Sequence, residues 1–292
     1  MEYTGRVFRP PSEARSLIIQ ATLGCSHNKC RFCDMYKEKA FRIRTNKEIL
    51  GDFAEAREIT GPVRRIFLAD GDALIIPYKQ MAGLLDGIRR IYPEAERISC
   101  YASPKSVLNK TPEQLKDLKD RGLTLAYLGL ESGDDEVLRH INKGNTAAEI
   151  VKAGQMLKEA GIKVSVTAIS GIGGTKRWQE HAIATGQALS AMKPDYIGLL
   201  TFRVEGQAPM VKEVAQGKFT MLTPEQIAAE TRLMLDHLDS EGTVFRANHV
   251  SNYVNLAGTL NRDIPAMKKQ LDAALAGRVP FKSEYLRNID VR

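Results

Sequence analysis

Short runs of β-branched and apolar residues alternate with charge-rich amphipathic stretches along most of the chain. The short runs have the length of buried strands and the longer stretches carry the helical period, so the order reads as repeated βα units. The pattern predicts strands at 16–22, 65–69, 98–101, 125–130, 163–170 and 196–202, and a seventh fits at 243–247. The helices between them are punctuated. Thr111-Pro112-Glu113-Gln114 has capping-box spacing with proline at the first helical position, and Gly122 stands where that helix stops. Thr223-Pro224-Glu225-Gln226 repeats the signal before a helix running towards Leu238, and a helix over 147–160 ends at Gly161.

Six βα units joined by right-handed crossovers curl into a partial (β/α)6 TIM-like barrel, with functional groups at the carboxyl ends of the strands. The βα rhythm alone fits a doubly wound sheet equally well. No Gly/Ser-rich linker, low-complexity tract or clear repeat divides the 292 residues. The expected organisation is an N-terminal extension over 1–14, a core barrel over 15–205 and a C-terminal helical extension over 206–292 that closes the barrel mouth.

Charge changes this picture little. An excess of 42 Lys+Arg over 35 Asp+Glu gives +7, which suits an acidic partner, but the positive residues are spread out with no long basic run. Nucleic acid is therefore the less favoured partner and a small molecule the favoured one. The first fifteen residues are polar, and no apolar stretch approaches the about 18 residues needed to cross a bilayer, so the expected location is cytoplasmic, away from membranes.

Cysteine usage changes it a great deal. Three of the four cysteines, Cys25, Cys30 and Cys33, lie within nine residues directly after the first predicted strand. That spacing is not a disulfide framework; it places three thiolates in one loop at the carboxyl edge of the sheet, where ligands bind in such folds. Three thiolates can hold three irons of a 4Fe–4S cluster and leave the fourth iron open. A zinc site would need a fourth ligand, from His27 or from Cys100, and redox-active thiols are a third reading.

The loop resembles that of the radical SAM superfamily, whose usual pattern is Cys-x3-Cys-x2-Cys with an aromatic before the last cysteine. Phe32 fills the aromatic place, whereas Cys25 and Cys30 enclose four residues where the usual pattern has three. The resemblance implies a 4Fe–4S cluster on Cys25, Cys30 and Cys33 with S-adenosylmethionine on the open iron. Asp70-Gly71-Asp72, after the second strand, is similar to the superfamily's Gly-Gly-Glu-like stretch that binds the methionine ammonium. Gly129-Leu130-Glu131-Ser132-Gly133 is similar to a run in the branch containing oxygen-independent coproporphyrinogen oxidase, the Elongator catalytic subunit and the tRNA methylthiotransferases. By that resemblance Glu131 contacts the ribose hydroxyls and Lys143 pairs with the methionine carboxylate. Ser132 and Asp134 also read as caps of the next helix. The strand before Gly171-Ile172-Gly173-Gly174 looks like the one that ends against the adenosine, with Thr167 as a polar contact, and Leu200 offers backbone groups to the adenine.

Further candidates at the barrel mouth are Cys100, Tyr101 and Ser103 after the third strand and Arg246, Asn248, His249, Asn252 and Tyr253 after the seventh. Cys100, Tyr101, His249 and Tyr253 carry groups able to move protons or electrons; Ser103, Arg246, Asn248 and Asn252 are suited to binding substrate. The resemblance implies reductive cleavage of S-adenosylmethionine to a 5′-deoxyadenosyl radical that takes hydrogen from a small molecule, with an electron donor such as flavodoxin or ferredoxin. The alternatives are a tRNA- or protein-modifying relative and a non-catalytic haem or iron–sulfur binding protein.

Overall fold

The computed structural model describes residues 2–204 and 206–287. The chain opens with β1 (Leu17–Gln20), β2 (Thr22–Leu23), β3 (Arg42–Ile43), α1 (Asn46–Thr60), β4 (Arg65–Ala69) and α2 (Tyr78–Ile91). It continues through β5 (Arg97–Ala102), α3 (Pro104–Leu108), α4 (Pro112–Asp120), β6 (Leu123–Glu131), α5 (Asp135–His140), α6 (Ala147–Glu159) and β7 (Lys163–Ser170). After α7 (Gly174–Met192) and β8 (Tyr196–Thr201) come α8 (Pro209–Ala215), α9 (Pro224–Asp236), β9 (Val244–Ala247), β10 (Leu256–Thr259), α10 (Ile264–Leu275) and α11 (Glu284–Arg287). Eight of these strands form one sheet in the order β1-β4-β5-β6-β7-β8-β9-β10, while β2 and β3 make a separate antiparallel pair. The fold class is α/β with a mostly parallel sheet.

The expected strands are all present. Those at 65–69 and 163–170 match β4 and β7 at both ends, and the seventh is β9. The caps are also as read: the hydroxyls of Thr111 and Thr223 accept from the backbone N–H of Gln114 and Gln226. The run over 16–22 is divided into β1 and β2. The C-terminal extension is more than helical, because β10 returns antiparallel along β9.

The described residues fall into two compact units. The first comprises Met1–Asn28, Met35–Leu128 and Lys152–Val164; the second comprises Lys29–Asp34, Gly129–Val151 and Ser165–Arg292. In the first unit β1, β4, β5 and β6 run parallel, and strand alternation puts Phe67, Tyr101 and Tyr127 together as an edge-to-face trio with centroids 5.1 to 6.0 Å apart. Below them Glu13, which precedes β1, is fully buried and accepts from Tyr127 Oη, Ser99 Oγ and Arg97 Nη2. In the second unit β7, β8 and β9 run parallel in register, with Thr167 opposite Gly198 and Gly198 opposite Arg246. Val166, Ala168, Ile197, Leu199 and Phe245 point to the buried side, and the alternate residues, Ile169 excepted, are part-exposed or exposed.

Candidate cofactor site and its supports

In the first unit the cysteine loop starts at β2 and is fastened by two buried carboxylates. Asp70 Oδ2 accepts from Gln20 Nε2 (3.1 Å), Gly24 N (3.0 Å) and Lys39 Nζ (2.9 Å), which ties the residue before Cys25 to the end of β4. Asp72 accepts from Ser26 Oγ (2.5 Å), on the other side of Cys25, and from Ser103 Oγ (2.8 Å) and Ser103 N (3.1 Å) at the cap of α3. Burial pushes the Asp72 carboxyl up from its ordinary range, against the pull of those hydrogen bonds and the charge of Lys110. Between them Gly71 presses against Cys25: a Cβ there would lie 2.9 Å from the cysteine Cβ and 2.7 Å from the Tyr36 ring. Asp70-Gly71-Asp72 is thus first a brace for the cysteine loop, a role its sequence did not reveal. Of its four carboxylate oxygens only Asp70 Oδ1, although buried, has no hydrogen-bond partner among the described residues.

In the second unit the stretch that carries Cys30, Phe32 and Cys33 is clamped from two sides. Arg31 N donates to Ile141 O (2.8 Å) and Asn142 Nδ2 to Lys29 O (3.1 Å), while Met210 N in α8 donates to Arg31 O (3.0 Å). The Arg31 guanidinium reaches Glu213, which also pairs with His140 at 3.2 Å. At Gly206, held at φ 63°, a Cβ would fall 1.5 Å from Asp34 Oδ2, so the Asp34 carboxylate occupies the space that the glycine leaves. Met210 and Glu213 lie 180 residues or so from the loop in sequence, and nothing local marks them as its support.

Farther along that unit, β6 ends in Glu131, held left-handed at φ 61°, a conformation that costs a non-glycine residue about 1 kcal/mol or more. Its carboxylate meets Lys143 Nζ at 2.8 Å. A Cβ on Gly129 would lie 2.1 Å from Glu131 Oε1 and 2.8 Å from Lys143 Nζ, so the pair occupies the space that glycine leaves. The next residues are fixed by α5 and α7: Asp134 caps α5 through Glu136 N (2.9 Å) and pairs with Arg177 (2.8 Å), and Ser132 Oγ accepts from Asp134 N (3.0 Å). Gly133 N donates to Thr185 Oγ1 (2.9 Å). The helix-cap reading of Ser132 and Asp134 and the placing of Glu131 are one arrangement.

Two buried titratable groups that the sequence did not single out join this exit to the glycine turn after β7. His181 Nδ1 lies 2.7 Å from Ser132 Oγ, and its Nε2 lies 3.8 Å from Glu230 Oε1 on α9, which accepts from Gly171 N at 2.7 Å. Burial drives the two in opposite directions, the Glu230 carboxyl up to about 8 and the His181 imidazole down to about 4, so at neutral pH both are uncharged. Thr167 and Leu200 are half-buried on the open side of the sheet.

The remaining candidates separate. Cys100 does not share the face of Tyr101: it is fully buried on the opposite side of β5, and burial pushes its thiol up to about 12, which removes it from the candidate catalytic groups. Ser103 is spent on Asp72 and on capping α3. Asn252 is buried, donating to Leu199 O (2.9 Å) and accepting from Thr201 Oγ1 (2.9 Å), so it closes the end of β8 where a substrate ligand was expected. Tyr253 donates to Glu284 and stacks against Arg287, 3.6 Å from its ring centroid, and His249 pairs with Ser251. Arg246 and Asn248 are exposed.

In their chemistry the residues of each unit suit an iron–sulfur cluster and its nucleotide ligand. Cys25, Cys30 and Cys33 are part-exposed thiols outside any disulfide, on a loop that buried carboxylates and α8 hold in place. Among the described residues no three His, Cys, Asp or Glu side chains converge on one point as a single ion requires; a cluster asks for less, because each thiolate takes its own iron. Asp70 Oδ1 is a buried acceptor left over, and Glu131 and Lys143 are a charged pair beside a glycine.

An α/β fold with a three-thiol loop at the end of its first strands suits a protein that holds an iron–sulfur cluster, and comparison with known proteins names the class. The profile of the radical SAM superfamily matches residues 19–184, more than half of the chain. This chain belongs to the radical SAM superfamily, whose cofactors are a 4Fe–4S cluster and S-adenosylmethionine. Among curated proteins it is similar to the heme chaperone HemW of Bacillus subtilis (strain 168), 21% identical over 227 residues, which are 75% of this chain and 58% of that protein. The chain thus spans less than two thirds of that relative's length. Among solved structures it is similar to methylornithine synthase PylB, with a TM-score of 0.54 and 16% identity over 95% of this chain and 76% of that one. Coproporphyrinogen III oxidase HemN of Escherichia coli matches at 0.55 and 20% identity, over 76% of this chain and 54% of that one. These likenesses show the fold, the partial TIM barrel of the superfamily. Among the described residues no helix is long and apolar enough to cross a membrane.

Proposed function

We propose that this chain is a radical S-adenosylmethionine enzyme that cleaves the cofactor reductively and uses the resulting 5′-deoxyadenosyl radical to take hydrogen from a small molecule. The observation that carries this reading is the Glu131–Lys143 pair at 2.8 Å beside Gly129. A carboxylate and an ammonium held together beside a glycine are suited to a ligand that offers both hydroxyls and a carboxylate. The organisation into an N-terminal extension, a core over 15–205 and a C-terminal extension belongs to the same proposal.

When bound, the cluster supplies the electron that opens the carbon–sulfur bond of S-adenosylmethionine. The chain's own work is ligation, orientation and shielding. Cys25, Cys30 and Cys33 bind three irons as thiolates. Asp70 and Asp72 hold the backbone on both sides of Cys25, so the loop does not reorganise as ligands arrive. Lys143 would hold the methionine carboxylate of S-adenosylmethionine and Glu131 would accept from its ribose hydroxyls, the two groups that now pair at 2.8 Å. Glu230 and His181, neutral and buried, hold the Gly171 turn and the Ser132 exit without adding charge near the nucleotide.

The test is anaerobic. Protein reconstituted with iron and sulfide, then given dithionite and S-adenosylmethionine, is expected to release 5′-deoxyadenosine; an intact cluster with none above background overturns the reading. A small acidic redox protein such as flavodoxin or ferredoxin is the proposed physiological donor. A second reading, a haem-binding protein without this chemistry, is favoured by the similarity to a heme chaperone; tight haem binding with no deoxyadenosine release would establish it. A tRNA- or protein-modifying enzyme is a third, and salt-dependent RNA binding would favour it.

A further inference from the structure

The C-terminal part of the second unit holds a cavity that the cofactor reading leaves unused. It measures about 680 Å³ and lies between α10, the link from β9 to β10 and the segment that follows α10. Small-molecule sites run to roughly 300–1,000 Å³, so a ligand of that kind fits. Ala266 and Ala273 on α10 form one wall, and Val254, Val279 and Pro280 form the others. Val279 is 48% exposed, an apolar surface that stands in water unless something covers it.

The charges of α10 divide between its faces. Lys268 pairs with Asp236, and Asp272 with Arg232 at 2.6 Å, so the side towards α9 is neutralised. Lys269 stands instead in the stripe Ala266, Lys269, Gln270 and Ala273, whose helical spacing puts all four on one face, and that face lines the cavity. It has no carboxylate partner among the described residues.

Lys282 lines the same cavity. Its Nζ makes two long hydrogen bonds, to Asn255 Oδ1 (3.3 Å) and Val250 O (3.4 Å), and pairs with no carboxylate among the described residues. Burial and the charge of Arg287 pull its ammonium below the ordinary lysine range. A half-buried ammonium with a third N–H to spare and no counter-charge is stabilised by an anion that supplies one. Among the described residues no Asp or Glu lines the cavity.

We infer that this cavity binds an amphipathic acid, an apolar chain or ring whose carboxylate or phosphate group meets the Lys282 ammonium while its body lies against Val254, Ala273 and Val279. Charge complementarity selects that ligand, because the walls are apolar and both charges on them are positive. A neutral apolar ligand would leave the two ammoniums without a counter-charge, and a cationic one would add a third. The inference goes beyond the proposed function and does not depend on cleavage of S-adenosylmethionine.

The test titrates the cluster-loaded protein with octanoate, octyl phosphate, 1-octanol, octyltrimethylammonium and acetate by calorimetry. At least one of the two octyl acids is expected to bind about tenfold or more tightly than 1-octanol, the difference that a charged hydrogen bond makes, while acetate and the cation do not bind. The tighter of the two acids tells a carboxylate ligand from a phosphate one. Lys282→Gln should weaken acid binding about tenfold, and Lys269→Gln about threefold because that charge is exposed to water. Ala273→Phe should abolish binding with both ammoniums kept, because the ring fills the cavity, and it decides the matter where Lys282→Gln does not fold. Acid binding that is absent, no tighter than that of 1-octanol, or undiminished in the folded variants overturns the inference. So does a dimer, seen by sedimentation, that Ala273→Phe dissociates, since a second copy of the chain would then occupy the cavity. The two proposals fail separately. Deoxyadenosine release without acid binding overturns this site alone, and acid binding without release overturns the proposed function alone.

Discussion

The carboxylate of Glu131 and the ammonium of Lys143 meet at 2.8 Å in the space that a side chain at position 129 would need. A methyl group on Gly129 would lie 2.1 Å from the one and 2.8 Å from the other. Both atoms end flexible side chains, so Gly129→Ala should fold with stability within about 1 kcal/mol of the wild type while forcing the pair to move. Its affinity for S-adenosylmethionine, measured by calorimetry on cluster-loaded protein, should fall about tenfold. Unchanged affinity would show that this pair is not part of the cofactor site.

Cys100 and the loop cysteines differ in what removing the thiol should do. Cys100 is 0% exposed and its thiol is pushed up to about 12, so Cys100→Ala removes one buried sulfur and costs about 1 kcal/mol while leaving iron and sulfide content unchanged. Cys25→Ala, Cys30→Ala and Cys33→Ala should each abolish the visible absorption of the reconstituted protein. Loss of iron from Cys100→Ala would mean that the ligand set is different.

What was legible in the sequence was what is local. Strands β4 and β7 were readable to the residue because apolar runs end there against a charged or glycine turn, and the caps at Thr111 and Thr223 because a four-residue pattern specifies them. Cys25, Cys30 and Cys33 stood out because three thiols lie close together in sequence. β10 was not: Leu256–Thr259 is four residues long, contains Gly258 and gains its strand character only from pairing with β9. The clamp of Arg31 by Glu213 and the brace of Cys25 by Asp70 and Asp72 depend on residues brought together by the fold. Composition and spacing carry no trace of such a pairing, and for the same reason Cys100 and Asn252 looked more available than they are.

Glu13 illustrates how much stability a long-range pairing holds. Fully buried before β1, its carboxylate accepts from Tyr127 Oη (2.5 Å), Ser99 Oγ (2.9 Å), Arg97 Nη2 (2.8 Å) and Ser16 Oγ. Glu13→Ala strands those donors and should cost roughly 3–5 kcal/mol, as expected when one member of a buried charged network is removed. Glu13→Gln should recover little of it, because the amide turns donors towards donors. Urea unfolding of both variants checks this, and a loss below about 1 kcal/mol for Glu13→Ala would deny the network its role.

Glu230 gives the fold a dependence on pH whose sign follows from its burial. Its carboxyl is raised to about 8, so between the ordinary glutamate range and pH 8 the folded chain keeps a proton that the unfolded chain has lost, and stability declines as pH rises through that window. His181, lowered to about 4, acts oppositely: the unfolded chain binds the extra proton, so stability rises with pH from about 4 until imidazole titrates in the unfolded state near 6.5. The two slopes offset each other between about 4.5 and 6.5, and above 6.5 only the decline due to Glu230 remains. Glu230→Gln keeps an acceptor for Gly171 N and cannot ionise. Relative to this variant the wild type should lose roughly 2 kcal/mol between pH 6.5 and 8, from one proton over about 1.5 pH units. Urea unfolding of the two proteins at those pH values measures the difference directly. Parallel pH profiles would show that Glu230 is already ionised at neutral pH, with a charge that the burial around His181 does not account for.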